Sequence, residues 1–148
     1  MTFEDFIEAK KKKQAQTLCN AAETIQKYKT LITNFYNRIT SEWLHDAIEK
    51  KLVTVGKVKV SLTEELLGTY NVDAMWIDVA GERVSVIPMG THLIGTDARF
   101  DIEANGNESM IVHDKSSNEW IHVDYDRKAI RQKLNATVFQ KLIMDMMK

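Results

Sequence analysis

The chain has 148 residues, 44% apolar and 28% charged, with one Cys, one Pro and a formal net charge of −1. That balance excludes a disordered chain and predicts one core that hides roughly two thirds of the unfolded surface. It also excludes an intrachain disulfide, because Cys19 has no partner, and a membrane-spanning helix, because no apolar run approaches the ~20 residues a bilayer requires.

The near-zero total conceals a segregation of charge. Residues 1–63 hold 11 Lys/Arg against 7 Asp/Glu, residues 64–124 hold 3 against 12, and residues 125–148 hold 6 against 2. An acidic block of −9 therefore lies between two basic blocks of +4 each. A surface of one sign steers association over a Debye length of about 8–10 Å, so the pattern points to a basic partner or to pairing among the chain's own parts. With a sequence pI ≈ 6.4 the balance is wrong for a nucleic-acid binder.

In chain order, Met1 to Lys13 carries acidic residues and then four lysines, with no apolar segment of the kind that opens a cleaved secretion signal. The expected location is the cytoplasm. Thr2 caps a first helix, with Glu4 and Asp5 near the positive end of its dipole. Leu18, Ile25, Ile32 and Ile39 recur every seven residues, and Ala21, Tyr28 and Phe35 follow three places after the first three of them. The expectation is a long helix lying on its own domain, and the alternative is a homodimer through the Ile25, Ile32 and Ile39 seam. Thr40-Ser41 is the weak point, where hydroxyls compete for backbone hydrogen bonds and a kink or second helix begins.

After Gly56, residues 57–62 alternate with period two and predict a strand. Ser61-x-x-Glu64 fits a capping box that opens one helical turn ending at Gly68. Next comes a hairpin with Gly81-Glu82 as its turn, which places Met75, Ile77, Val79, Val84 and Val86 on one buried face. Gly90 and Gly95 bracket a short turning segment whose spacing matches no phosphate-binding loop.

Three further strands are expected at 98–104, 109–114 and 119–123. A three-residue loop at Asn105-Gly106-Asn107 brings Phe100, Ile102, Met110, Val112, Ile121 and Val123 to one apolar face. The other face then carries Arg99, Asp101, Glu103, Ile111, His113, Trp120 and His122. Asp124 or Asp126 caps a basic helical turn at 127–134, and Thr137-x-x-Gln140 caps a last helix. The fold class is α+β: a long N-terminal helical segment, an antiparallel meander sheet of about six strands and a C-terminal helix. The chain reads as one domain over 1–148, with a helical arm at 1–55, the sheet at 56–124 and C-terminal helices at 125–148.

Chemistry-bearing constellations are sparse. His113 and His122 with Asp101 and Glu103 form the sharpest cluster, suited in principle to Zn²⁺ or acid–base work, although the spacing is what any polar sheet face produces. No cofactor is implied. Ile111 and Trp120 among these polar groups require cover, either by the first helix or by a partner. The reading that follows is a non-enzymatic protein-interaction module, of the kind exemplified by an immunity-type or inhibitor protein that neutralises a basic nuclease toxin. Its expected contact residues are Asp97, Asp101, Glu103, Glu108, Asp114, Glu119 and Trp120. The alternatives are a homo-oligomeric scaffold built through the first helix and a metal-dependent enzyme using His113, His122 and Asp101.

Overall fold

Helix α1 spans Phe3–Arg38 and opens with a reciprocal capping box: Thr2 Oγ1 accepts from Asp5 N, and Asp5 accepts in return from Thr2 N. The computed structural model describes residues 1–65, 67–91, 96–124 and 131–148, and the side chains of residues 17–19, 96 and 97 lie outside what it describes. The expected turn through 92–95 and the Asp126 cap also lie outside the described residues. So do the side chains of Leu18 and Cys19.

The weak point at Thr40-Ser41 is a π-helical turn at Ile39–Trp43, where Leu44 N donates to Ile39 O at 2.8 Å. Thr40 Oγ1 donates back to Tyr36 O, which loosens the helix at this point. One extra residue in the turn rotates the chain so that Ile39, Trp43 and Leu44 all face inward. Helix α2 follows at His45–Glu49.

Among the described residues seven antiparallel strands then run in sequence order: β1 Val53–Glu64, β2 Gly68–Val79, β3 Glu82–Gly90, β4 Thr96–Ala104, β5 Asn107–Asp114, β6 Glu119–Val123 and β7 Arg131–Lys133. Helix α3, Ala136–Met146, closes the chain. The α+β class holds, with one strand more than expected, because 131–133 pairs with β6 and is not a helical turn.

Two local readings of β1 and α3 are corrected. Glu64 lies in β1 and caps no helix; its carboxylate accepts from Tyr70 and Thr91. The cap of α3 is Asn135, whose Oδ1 accepts from Val138 N, while Gln140 reaches across to donate to Trp43 O at 2.7 Å.

The hairpins fix which side chains face inward. Between β2 and β3 the turn is Ala80-Gly81, with φ of 52° and 83° as a type I′ turn demands, and not Gly81-Glu82. Met75 pairs with Val86 and Ile77 with Val84, two residues away from the expected register, so the same side chains stay buried. Between β4 and β5 the outcome differs. Asn105-Gly106 forms the two-residue turn, with φ of 51° and 77°, and Ala104 pairs with Asn107 rather than Glu108. A register moved by one residue exchanges the two faces of every following strand. Phe100 therefore shares the inner face with Ile111 and His122, and Ala98 shares it with His113 and Trp120.

The C-terminal half of α1 lies on that inner face. Phe35 stacks on Trp120 at 4.4 Å between centroids, tilts against Phe100 at 4.6 Å and meets Trp43 edge-on at 5.8 Å. Tyr36 Oη donates to Asp73 O, and Tyr28 Oη accepts from Gly90 N across 62 residues of chain. Burial pushes both phenols above the ordinary tyrosine range. Helix α3 extends the layer: Phe139 contacts Trp43 at 5.1 Å, and Leu142, Ile143 and Met146 are buried beside it. Ile32 and Ile39 belong to this intramolecular core, so the dimer seam expected through them is used within the chain.

Candidate functional site

The opposite, outer face of the sheet has no described helix packed on it. Strand alternation places Asp101 and Glu103 of β4 on this face. Glu108, Met110, Val112 and Asp114 of β5 join them, with Glu119, Ile121 and Val123 of β6 alongside. Met110, Ile121 and Val123 are half-buried, while Val112 between them is buried among its neighbours on the strands. Five of the seven acidic and aromatic residues singled out from the sequence thus share one surface. The backbone of Asp97 lies in β4, and its side chain is outside the described residues.

Trp120 is the exception. It is 4% exposed, on the inner face beneath Phe35, because the two-residue turn reverses the expected parity. The aromatic residue that does stand on the outer face is Trp76, half-buried in β2. Its indole lies across Gly56 on β1, where a Cβ would meet the ring at 2.0 Å, and the Arg83 guanidinium stacks on it at 4.5 Å. The signal for this arrangement was present in the sequence: Trp76 alternates with the buried Met75 and Ile77.

The carboxylates of the outer face differ in how they are held. Asp101 is 6% exposed and takes two hydrogen bonds from Arg99, at 3.0 and 3.2 Å. Asp114 accepts from Ser116 N and Oγ and from Ser117 Oγ, and those bonds lower its pKa. Glu119 pairs with Lys133 at 2.7 Å, and Asp78 with Arg83 at 3.0 Å. Glu103 and Glu108 are direct cross-strand partners. Partial burial, the charge of Glu108, a hydrogen bond with its carboxyl and then the charge of Asp101 raise the Glu103 carboxyl above its usual range. Like charges set directly opposite weaken a strand pair.

The histidine cluster expected from the sequence is not assembled. His113 and His122 do lie diagonally across β5 and β6, but on the inner face, with Asp101 and Glu103 on the other side of the sheet. His113 Nε2 meets Asn118 Oδ1 at 2.9 Å and its ring lies 4.7 Å from Trp120; His122 Nε2 meets Ser109 Oγ. Burial lowers the pKa of His122. Among the described residues no three His, Cys, Asp or Glu side chains converge on a point where a metal ion could sit.

A second polar cluster closes the far end of the core. The buried Glu64 carboxylate accepts from the Tyr70 hydroxyl and from Thr91 N and Oγ1, at 2.9 and 3.0 Å for the latter two. Its oxygen lies 2.7 Å from where a Cβ on Gly90 would stand, so this glycine admits the carboxylate. The cluster ties the end of β3 to the β1–β2 hairpin. Between α1 and the β5–β6 turn runs an open groove of 560 Å³ lined by Lys27, Leu31, His113 and Lys115 among others.

The chain matches no protein-family model, no curated protein and no solved structure.

Proposed function

We propose that the protein is a non-enzymatic interaction module that binds a basic protein through the outer face of its sheet, in the manner of an immunity-type or inhibitor protein covering the cationic site of a nuclease toxin. The observation that carries this reading is the composition of that face. An apolar centre of Met110, Ile121 and Val123 is bordered by Asp101, Glu103, Glu108, Asp114 and Glu119, with Arg99, Arg131 and Lys133 on the same face and Glu103 and Glu108 left exposed at one end. Protein interfaces combine a desolvated apolar centre with a polar rim in this way. The opposed Glu103 and Glu108 add a specific argument. Like charges set directly opposite weaken a strand pair, and a Lys or Arg placed between the two carboxylates relieves that repulsion.

The test is affinity capture with the tagged chain from its native host at low and high salt, run beside Glu103→Lys with Glu108→Lys. The expected result is a basic protein retained by the unaltered chain at low salt, weakened at least about tenfold by high salt and lost with the double variant. Retention that ignores both salt and charge reversal would sink the proposal.

A further inference from the structure

The N-terminal half of α1 has no place in the core. Among the described residues before Tyr28 none is buried, and Phe3 and Phe6 are 76% and 51% exposed. The 36-residue helix contains no Gly or Pro, and the rise of 1.5 Å per residue carries Phe3 about 37 Å beyond Tyr28. A solvated helical segment of this length is marginally stable by itself, and an apolar end held in water gives it nothing further.

The exposed side chains fall into a pattern. Phe3, Phe6, Ile7, Lys10 and Lys13 recur at helical spacing, so one stripe carries two aromatic rings at the tip and then lysines, with Lys10 Nζ 6.0 Å from the Phe6 ring. The outer sheet face offers the complement of that stripe: an apolar centre on β5 and β6, Glu103 and Glu108 at the end of the β4–β5 hairpin, and Trp76 in the same row as these two carboxylates, two strands beyond Glu103. The arm cannot reach this face on its own molecule. Its helix continues without a break into the segment that lies on the inner face, and the sheet stands between the two surfaces.

We infer that the N-terminal arm docks on the outer sheet face of a second copy of the chain, lysines against the acidic rim and Phe3 and Phe6 against the apolar centre. This rests on the reading of the outer face as an interaction surface and names a second occupant for it. Self-association then competes with the basic partner, so the free protein holds its binding face covered until that partner displaces the arm. When the exchange is reciprocal, two such contacts close a two-fold pair.

The experiment uses the full chain in light scattering across concentration at low salt. The expected result is a rise above the 17.0 kDa monomer mass in the micromolar range, reversed by high salt. Reversing the arm, Lys10→Glu through Lys13→Glu, and reversing the face, Glu103→Lys with Glu108→Lys, should each weaken association at least about tenfold, and mixing the two variants should restore it. Trp76 supplies a local readout, since Trp43 and Trp120 are buried and Trp76 is not. A concentration-dependent blue shift of emission, abolished by Trp76→Phe, places the contact on the outer face.

A monomer at about 100 μM and low salt overturns the inference, as does association that survives both reversals. A chain that stays monomeric while its arm binds anionic phospholipid vesicles overturns it as well. Capture of the basic partner separates the two proposals. The arm reversal leaves that capture intact, and the face reversal abolishes it. Self-association without capture defeats the partner reading alone.

Discussion

Both faces of strands β5 and β6 carry apolar side chains, yet the inner face is sealed by helices and the outer face has no described helix on it. The inner face presents Phe100, Ile102, Ile111 and Trp120 to the rings of α1, all at most 4% exposed. The outer face presents Met110, Ile121 and Val123 to no described helix. The same backbone therefore separates two tasks. Aromatic bulk marks the side that holds the fold together, and aliphatic residues bordered by carboxylates mark the side left open.

The sharpest way to break this comparison is to remove the centre of the sealed side. Phe35→Ala deletes a fully buried ring that touches Tyr36, Trp43, Phe100 and Trp120, and is expected to cost about 3–5 kcal/mol by denaturant unfolding. A loss below about 1 kcal/mol would mean that α1 does not supply the main cover.

A matched pair sharpens the contrast. Ile111→Ala on the inner face should cost about 2–5 kcal/mol, whereas Ile121→Ala, one strand away on the outer face, should cost about 1 kcal/mol. Equal losses would show that the outer face is covered too. The hairpin register is what this pair reads out, and it is also where the sequence was hardest to interpret.

Most of the architecture was legible: the capped first helix, its weak point at Thr40-Ser41, the strand order and the closing helix all follow from periodicity and breakers. The face assignment of β4 to β6 was not. Choosing the loop that gathered Phe100 with Val112 assumed a single apolar face, but this sheet has two. The turn geometry of Asn105-Gly106, with both residues at positive φ, decides the matter locally and needs no knowledge of what covers either side. The one-residue shift turns β5 and β6 over relative to β4, which brings Glu108, Asp114 and Glu119 onto the face of Asp101 and Glu103 and carries Trp120 to the inner side. In the β2–β3 hairpin a turn misplaced by two residues of register did no damage, since faces repeat with that period.

Charge gives a smaller effect of opposite sign. Glu103→Gln removes the repulsion across the β4–β5 pair and should stabilise the protein by about 0.5 kcal/mol at neutral pH, after allowance for solvent screening of a surface group. The gain should vanish at low pH, where the raised pKa of Glu103 leaves the carboxyl neutral anyway. A destabilised variant would show that the carboxylate is satisfied by a partner of its own.

Burial lowers the pKa of His122 in the folded protein below its ordinary 6.5, so the unfolded chain binds the proton first as pH falls. His122 therefore makes stability decline from about pH 6.5 downward until the folded value is reached, and above that window it contributes no dependence. His122→Gln should flatten this part of the curve. Unfolding midpoints measured from pH 7.5 to 5 that keep the same slope in the variant would place the effect elsewhere.

The order of the strands has a kinetic consequence. Each strand neighbours its successor along the chain, so the sheet can assemble hairpin by hairpin with short loop closures. Contacts distant in sequence join α1 to that sheet: Tyr28 to Gly90, Tyr36 to Asp73, and Phe35 to Phe100 and Trp120. Those contacts hold α1 on the inner face, and each of them needs a strand residue as its partner. The meander is thus local in its pairing, and the docking of α1 is what makes one of its sides different from the other.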